Sequence, residues 1–298
     1  MAASTRAAST RIEQALGRAI DATGGPSCPP GLAAAMRYTV FPGGARVRPK
    51  LCLAVALACG DDRPALSDAA AAAIELLHCA SLVHDDLPCF DNAPLRRGKP
   101  SVHCTFGEPL AVLTGDALIV LAFETIARAG VVAPERLGPL VSIIGRGVGA
   151  PFGLCAGQAW ESEPAAPLRE YQRAKTGALF IAATAAGAAA AGADPAPWRA
   201  LGDRLGEAYQ VADDLKDALE DAATIGKPVG VDAALDRPNA VTELGIEGAV
   251  GRLRQLIGGA LDAIPDCPGA AMLEAIVKGE AERLAPTKVA EKRVRVAA

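Results

Sequence analysis

Residues 68–91 read DAAAAAIELLHCASLVHDDLPCFD, and this stretch decides the fold. Alanine and leucine have high helix propensity, so the run predicts one helix from Asp68 to about Asp86, with Ser67 as its N-cap. Pro88 then ends the helix, because proline disfavours helical dihedral angles in the residue before it. Helical spacing of apolar residues recurs along most of the chain, interrupted by short Gly/Pro clusters, and no alternating run demands a strand.

The composition also favours an all-helical protein. Of the 298 residues, 51% are hydrophobic and only 4% are aromatic, and alanine is abundant. This apolar content is enough to bury a substantial core. We find no long linker and no repeat of fixed period. We therefore predict a single all-α domain over residues 1–298, a bundle of about ten or more helices, with residues 1–10 as a flexible tail.

Charge and cysteine usage argue against several classes of protein. The formal net charge is −4 and no long Lys/Arg block is present, so we expect no nucleic-acid partner. The eight cysteines form no CxxC pair and no zinc spacing, so we interpret them as reduced core residues of a cytoplasmic protein. Residues 176–193 are uncharged and nearly long enough to span a membrane. They are mostly alanine and glycine, which predicts a tightly packed core helix and no membrane span.

The first acidic cluster lies at the predicted end of the helix. Asp85, Asp86 and Asp91 gather at and just beyond a helix C-terminus, where the helix dipole is negative. A hard divalent cation with oxygen ligands is the natural counter-charge for them. Arg96 and Arg97 follow within a few residues, and paired arginines are typical of phosphate binding.

The second acidic cluster is YQVADDLKDALED at residues 209–221. Gln210, Asp213, Asp214 and Asp217 all point toward one side of a predicted helix. Carboxylates one turn apart repel each other unless they are neutralised. Mg²⁺ held by one or two carboxylates and substrate phosphates suits this pattern better than a cage made only of protein. For either cluster taken alone, a solvated acidic helix end is the alternative interpretation.

Several short motifs accompany these clusters in order along the chain. They are FPGGARVRP at 41–49, DDLPCFDNAPLRRGKP at 85–100, LTGD at 113–116, AGQ at 156–158, KTG at 175–177, DDLKD at 213–217 and GKPVGVD at 226–232. With these motifs the sequence resembles the trans-prenyl diphosphate synthases, especially bacterial and plastid-type geranylgeranyl diphosphate synthases, over most of its length.

The resemblance implies a helical bundle of the isoprenoid synthase type around a central cavity. It implies a magnesium-dependent prenyltransferase that condenses isopentenyl diphosphate head-to-tail with farnesyl diphosphate or a shorter allylic diphosphate. The products would be geranylgeranyl diphosphate and pyrophosphate. A homodimer and a role in carotenoid or photosynthetic pigment synthesis are further expectations from the same likeness.

The resemblance also implies a role for individual residues. Three Mg²⁺ ions are implied, two facing the first acidic cluster and one facing the second. The implied metal ligands are Asp85, Asp86, Asp91, Asp213, Asp214 and Asp217. The implied ligands of the allylic diphosphate are Arg96, Lys175 and Lys227. The implied ligands of isopentenyl diphosphate are Arg48, His78 and Arg97. The implied catalytic residues are Lys175, Thr176 and Gln210, the last two turning oxygen dipoles toward the developing allylic cation.

The length of the product can be argued from helix geometry. The growing chain should run back along the helix that ends at Asp85, so its floor lies one to two turns upstream, about 6–12 Å away at about 1.5 Å per residue. The residues there are Leu77, Ala80 and Ser81. Family members that stop at fifteen carbons typically have a bulky aromatic residue in this neighbourhood. The small Ala80 and Ser81 therefore predict a cavity that admits about one more isoprene unit.

This sequence departs from the family pattern at several positions, and other functions remain open. The departures are Ala45 and Val231 in place of lysines, Glu161 in place of an aspartate, and Ala93-Pro94 in place of two acidic residues. The alternatives are a farnesyl or longer-chain synthase, a non-catalytic regulatory subunit, and a class I terpene cyclase. Trp160 and Trp198 are expected to pack rather than to bind a ligand.

Overall fold

Helices make up most of the described chain. The structure is a computed structural model, and it describes residues 2–165, 167–219 and 239–284. The helices are α1 (Ala2–Asp21), α2 (Pro30–Val40), α3 (Val47–Ala58), α4 (Pro64–Asp85), α5 (Val102–Phe106), α6 (Glu108–Gly130), α7 (Pro134–Val148), α8 (Leu154–Ala159), α9 (Leu168–Gln172), α10 (Ala178–Ala190), α11 (Arg199–Leu219), α12 (Ala240–Asp262) and α13 (Ala270–Leu284). A 3₁₀ turn, Trp160–Ser162, follows α8, and a π-helical turn, Arg173–Gly177, joins α9 to α10.

Helix α4 lies at the centre of the bundle, with α1, α3, α6 and α10 packed around it. Its alanine run is fully buried, because small side chains let neighbouring helices approach closely. The helix begins at Pro64, earlier than predicted, and Ser67 is not its N-cap. Proline suits the first helical position, because its missing N–H has no partner there in any case and its φ is already helical. The C-terminal end at Asp85 agrees with the prediction.

Helix α10 is the core helix expected from residues 176–193. Nearly all of its residues are buried, and it packs against α3, α7 and α11. A Cβ added at Gly187 would lie 2.3 Å from the Cys52 carbonyl oxygen, so only glycine permits this contact with α3. Among the described residues, two helices are long and apolar enough to cross a membrane, namely α4 and α6. Most of α4 is buried in the core, whereas α6 leaves much of its apolar surface exposed.

Three features differ from the predictions. Residues 2–10 belong to α1 rather than to a tail, and this helix packs through Ile12 and Leu16. A short antiparallel hairpin, β1 (Leu95–Arg96) and β2 (Lys99–Pro100), is present although no strand was predicted. Two-residue strands are too short to show alternation. The exposed cysteines also contradict a uniform core placement: Cys52 and Cys79 are buried as predicted, but Cys89, Cys104 and Cys155 are exposed.

Candidate active site

A cavity of about 490 Å³ lies where the C-terminal end of α4 meets α11, the π-helical turn, the hairpin and the start of α3. The charged and polar side chains that line it come from all of these elements. They are Arg46, Arg48, Glu75, His78, Ser81, Asp85, Arg96, Arg97, Lys175, Thr176, Tyr209, Gln210, Asp213 and Lys216. Both acidic motifs therefore contribute a carboxylate to one cavity, through Asp85 and Asp213.

The loop after α4 folds back over the end of the helix. The backbone N–H of Asp91 donates to the Asp85 carbonyl (2.9 Å), and that of Ala93 donates to the Asp86 carbonyl (3.2 Å). These bonds satisfy carbonyl groups that a helix end leaves without intrahelical partners. The loop thereby fixes the backbone of both aspartates at the end of α4.

Asp85 is buried and held by two polar neighbours. Its Oδ1 accepts a hydrogen bond from Gln158 Nε2 (2.9 Å), and its Oδ2 lies 3.8 Å from Lys175 Nζ. Burial raises the pKa of Asp85; Lys175 and Gln158 oppose that shift, while Glu161 and Asp91 add to it. A carboxylate whose ionised form is disfavoured in this way gains from a nearby cation.

Lys175 is itself positioned by a third carboxylate. Its Nζ donates to Glu161 Oε1 (2.7 Å), and the same oxygen accepts a hydrogen bond from Tyr171 OH (2.7 Å). Helix α8 packs closely against the backbone of Lys175, since a Cβ added at Gly157 would lie 2.2 Å from the Lys175 backbone nitrogen. Short π-helical turns such as this one are frequent at functional sites.

Asp86 faces the hairpin instead of the main cavity. Arg96 Nε donates a hydrogen bond to Asp86 Oδ1 (2.9 Å), and Arg96 Nη2 donates a second one to the same oxygen. Burial raises the pKa of Asp86, and this ion pair opposes the rise. The hairpin that carries Arg96 turns through Arg97 (φ 54°) and Gly98 (φ 76°). Positive φ at both central residues gives the two-residue turn that matches the twist of paired strands.

On the opposite wall, α11 carries a short chain of hydrogen bonds. Thr176 Oγ1 donates to Gln210 Oε1 (2.9 Å), and Gln210 Nε2 donates to Asp214 Oδ1 (2.9 Å). The second oxygen of Asp214 accepts from the backbone N–H of Ala240 (2.8 Å), at the start of α12. Asp214 therefore connects α11 to α12, whereas its neighbour Asp213 lines the cavity.

The wall formed by α3 and α4 is basic. The Arg48 guanidinium carbon lies 4.7 Å from the ring centroid of Phe180 and 5.6 Å from that of Tyr209. The buried Nε of Arg48 has no hydrogen-bond partner among the residues that the structure describes. Burial lowers the pKa of Arg48. Burial also lowers the pKa of His78 well below 6.5, and Arg48 and Arg97 lower it further. A neutral imidazole beside a guanidinium with an unused donor is suited to an anionic ligand.

The structure brings together most of the residues implied for substrate binding, but not all of those implied for metal binding. Ser81 lines the cavity, whereas Leu77 and Ala80 are buried in the core and do not. Within the described ranges, four of the six acidic residues do not line the cavity, namely Asp86, Asp91, Asp214 and Asp217. Lys227 and Val231 lie outside the described residues.

Sequence reasoning missed several residues of this site. Glu75 and Arg46 form a buried ion pair (2.7 Å) in the cavity wall, and Lys216 and Leu154 also line it. Glu75 lies ten residues before Asp85 on α4, so the sequence predicts that it belongs to the same helix. A single glutamate, however, forms no motif that indicates a functional role. Gln158 belongs to the AGQ motif, and its bond to Asp85 could not be read from spacing.

The donor set fits magnesium. Mg²⁺ is commonly held by one or two carboxylates together with substrate phosphates, and Asp85 and Asp213 supply hard oxygen donors from two helices. Among the described residues, no three His, Cys, Asp or Glu side chains form a metal site by themselves. Arg48, Lys175 and Arg96 line the same cavity, and guanidinium and ammonium groups are typical partners of phosphate oxygens.

Comparisons with known proteins show the family to which the chain is related. Residues 29–264 match the family model for polyprenyl synthetase. The chain is 60% identical over 280 residues to a geranylgeranyl diphosphate synthase of Cereibacter sphaeroides, covering 94% of this chain and 97% of that one. It is 57% identical to the corresponding enzyme of Rhodobacter capsulatus, covering 92% and 95%. Its fold is similar to that of a geranyltransferase of Helicobacter pylori complexed with magnesium and isoprenyl diphosphate (TM-score 0.77, 30% identity, covering 91% and 96%).

Proposed function

Because the chain belongs to the polyprenyl synthetase family, we propose that it transfers a prenyl group from an allylic diphosphate to isopentenyl diphosphate, forming geranylgeranyl diphosphate and pyrophosphate. One observation carries the proposal. Asp85 on α4 and Asp213 on α11, far apart in sequence, face one cavity that also holds lysine and arginine side chains. Carboxylates for a hard cation beside cationic side chains form a diphosphate site.

The allylic diphosphate binds at the acidic end of the cavity. Lys175 and Arg96 contact its phosphate oxygens, and Lys227 is proposed as a third contact. Magnesium, when bound, neutralises the charge that develops on the departing pyrophosphate. Asp85 and Asp213 are the proposed ligands that face the cavity, while Asp86, Asp91, Asp214 and Asp217 support them. Three ions per site is the proposed number.

Isopentenyl diphosphate binds on the basic wall, where Arg48, His78 and Arg97 hold its diphosphate. The buried, unpartnered Nε of Arg48 supports this assignment, because a phosphate oxygen would supply the missing acceptor. The neutral state of His78 lets its ring donate one hydrogen bond without adding a further positive charge beside Arg48.

The reaction proceeds by ionisation, attack and proton loss. The allylic C–O bond breaks, and its electron pair leaves with pyrophosphate. The Thr176 hydroxyl donates a hydrogen bond to Gln210 Oε1, so the lone pairs of the hydroxyl oxygen remain available to the positive allylic carbon. The double bond of isopentenyl diphosphate then attacks that carbon, and the released pyrophosphate accepts the proton that is lost as the new double bond forms. The cavity must exclude water until the new bond has formed.

The cellular location, the oligomeric state and the pathway are proposed from features outside the active site. Reduced cysteines support a cytoplasmic location. The exposed apolar surface of α6 supports a homodimer. A role in carotenoid or photosynthetic pigment synthesis follows from the resemblance alone.

Product analysis of the purified protein tests the function. Incubation with Mg²⁺, labelled isopentenyl diphosphate and dimethylallyl, geranyl or farnesyl diphosphate should give a twenty-carbon product. We expect Asp85→Asn and Asp213→Asn each to lower kcat by about 100-fold or more, the usual scale for lost transition-state stabilisation. The exposed Asp194→Asn is the matched control. A fifteen-carbon end product would establish a farnesyl synthase, and near-normal turnover in both variants would refute the site.

A further inference from the structure

The hairpin of β1 and β2 presents two arginines to the active-site cavity, and they are held in different ways. Arg96 is fixed by its two hydrogen bonds to Asp86. The Arg97 guanidinium makes no hydrogen bond and no ion pair with any residue that the structure describes. It lies against Gly44, where an added Cβ would be 3.0 Å from Arg97 Cζ. The position of Arg97 therefore depends on the backbone of the hairpin.

Lys99 fastens this hairpin to the C-terminal end of α2. It lies opposite Arg96 in the two-stranded ladder. Its Nζ donates hydrogen bonds to the carbonyl oxygens of Tyr38 (2.6 Å) and Phe41 (3.1 Å). Tyr38 belongs to the last turn of α2, where carbonyl groups lack intrahelical partners and the helix dipole is negative. The ammonium group is therefore bound where the end of a helix favours a cation.

Tyr38 connects the same two elements in the opposite direction. Its hydroxyl donates a hydrogen bond to the carbonyl oxygen of Pro100 (2.8 Å), the residue after Lys99. Lys99 Nζ also lies 3.9 Å from the centroid of the Tyr38 ring, and that ring packs edge-on against Phe106. Both the backbone and a side chain of β2 are thus attached to one residue of α2.

The partners of Lys99 leave the charge of Arg97 available. In the part of the chain that the structure describes, no carboxylate forms an ion pair with Lys99; carbonyl groups and an aromatic ring hold it instead. Burial lowers the pKa of Lys99, and the nearby Arg97 lowers it further. A carboxylate at this place would neutralise Arg97 as well, whereas carbonyl oxygens bind the ammonium group and leave the guanidinium for an anionic ligand.

We propose that Lys99 is a positioning residue for isopentenyl diphosphate: its bonds to the end of α2 set the turn that presents Arg97 to the diphosphate of that substrate. The identity of the substrate rests on the proposed function. Phe41, the second acceptor of Lys99, begins the segment that leads to Arg48 on α3. The same bonds therefore fix the spacing of Arg97 and Arg48 on the basic wall. The allylic site depends less on Lys99, because Asp86 anchors Arg96.

Steady-state kinetics test the proposal with Lys99→Met, which removes the donor and keeps the length of the side chain. We expect the KM for isopentenyl diphosphate to rise about tenfold, the scale of one lost hydrogen bond from a charged group. The KM for farnesyl diphosphate should rise much less. The kcat should change little, because the diphosphate of isopentenyl diphosphate takes no part in the bond that forms.

Three further variants complete the comparison. Lys99→Arg can still donate to both carbonyl oxygens and should restore most of the affinity. Tyr38→Phe, which loses only the bond to Pro100, should raise the same KM by a smaller factor. The exposed Lys278→Met is the matched control and should leave both KM values unchanged. If Lys99→Met does not fold, Tyr38→Phe carries the test, and an unchanged KM in that variant would overturn the proposal.

Binding without turnover separates this proposal from the catalytic one. Calorimetry with isopentenyl diphosphate alone should show about tenfold weaker binding to Lys99→Met than to the wild type. Hydrogen exchange in residues 95–101 should be faster in the variant, while circular dichroism shows an intact fold. A wild type that binds isopentenyl diphosphate but makes no product would refute the catalytic function alone. A folded Lys99→Met variant with unchanged affinity, an equal rise in both KM values, or no binding by the wild type would overturn the role of Lys99.

Discussion

At the scale of single residues, Glu161 shows how one carboxylate can set the behaviour of another. It accepts hydrogen bonds from Lys175 and Tyr171 on the same oxygen. Lys175 is thereby kept 3.8 Å from Asp85, too far for a direct hydrogen bond but near enough to partner a ligand between them. The shorter aspartate usual in the family would reach less far toward the lysine.

We predict that Glu161→Gln raises the Mg²⁺ concentration needed for half-maximal activity by about tenfold, the scale of one lost charge-assisted hydrogen bond. Without the anchor, Lys175 closes onto Asp85 and competes with the cation. The kcat at saturating Mg²⁺ should change less. Glu161→Asp should restore part of the Mg²⁺ affinity, and the exposed Glu163→Gln should have no effect. An unchanged Mg²⁺ profile, measured by activity and by calorimetry with Mg²⁺ and pyrophosphate, would contradict this role.

Ser81 gives a prediction about product length. It is the one residue of the predicted floor that lines the active-site cavity. We expect Ser81→Phe to shorten the main product from twenty to fifteen carbons, because the ring occupies the space of the last isoprene unit. Chromatography of dephosphorylated products measures the change, and circular dichroism confirms folding. Ser142→Phe, on the exposed side of α7, is the control. A folded variant that still makes the twenty-carbon product would place the floor elsewhere.

His78 predicts how stability depends on pH. Burial and the nearby arginines, Arg48, Arg97, Arg96 and Arg46, lower its pKa, so the folded protein keeps it neutral while the unfolded chain protonates it near pH 6.5. Its contribution to stability is therefore complete above pH 6.5 and is lost as the pH falls from there toward the lower, folded-state pKa. The loss of Tm between about pH 7.5 and about pH 5.5 should be smaller in His78→Gln than in the wild type. Equal losses would exclude His78 as the cause.

Residue types and spacing were enough to predict that Asp85 and Asp213 line one cavity, but not the hydrogen-bond partners of the neighbouring aspartates. The helix ending near Asp85 and the apolar neighbours of Asp213 were enough to expect both carboxylates at one site. The pairing of Asp86 with Arg96 and the bond from Asp214 to the Ala240 backbone depend on how separate segments meet. The local sequence around each residue does not indicate how these segments pack against each other.

At the scale of elements, Asp214 connects two helices, whereas Asp213 in the same motif faces the cavity. Its two oxygens join Gln210 and the N-terminal backbone of α12. Asp214→Ala should lower the free energy of unfolding by about 1–3 kcal/mol, because it leaves buried donors unsatisfied. Asp213→Ala, in the same motif but facing the cavity, should have a smaller effect. Thermal unfolding without Mg²⁺ compares the two, and a larger loss for Asp213→Ala would reverse the assignment.

The elements that the sequence did not predict share a physical reason. The π-helical turn, Arg173–Gly177, has no sequence pattern of its own, because it depends on the backbone contact with Gly157. The hairpin depends on positive φ at Arg97, which arginine rarely adopts. Long helices such as α4 and α10 were predictable because their composition and their burial agree. Short elements that shape the site are set by contacts instead.

At the scale of the whole molecule, α6 carries exposed apolar side chains on the surface of the described bundle. Leu113 and Val120, seven residues apart and hence on one face, are 52% and 66% exposed, and Val112 lies beside them. The helix is apolar enough to be a core helix, yet much of it faces outward. This apolar stripe, interrupted by the exposed Asp116, is typical of an interaction surface, and in a homodimer the same face of a second copy would meet it.

We therefore expect Leu113→Lys/Val120→Lys to convert a dimer into a monomer. Two ammonium groups would have to be buried, unpaired, for the helix faces to meet. Sedimentation equilibrium of the wild type and the variant measures the change. Val131→Lys/Val132→Lys provides a matched control, because these valines are at least as exposed, 77% and 60%, but lie beyond the end of α6. If the control variant dissociates as readily as the first, or if the wild type is already monomeric, the stripe on α6 does not hold two subunits together.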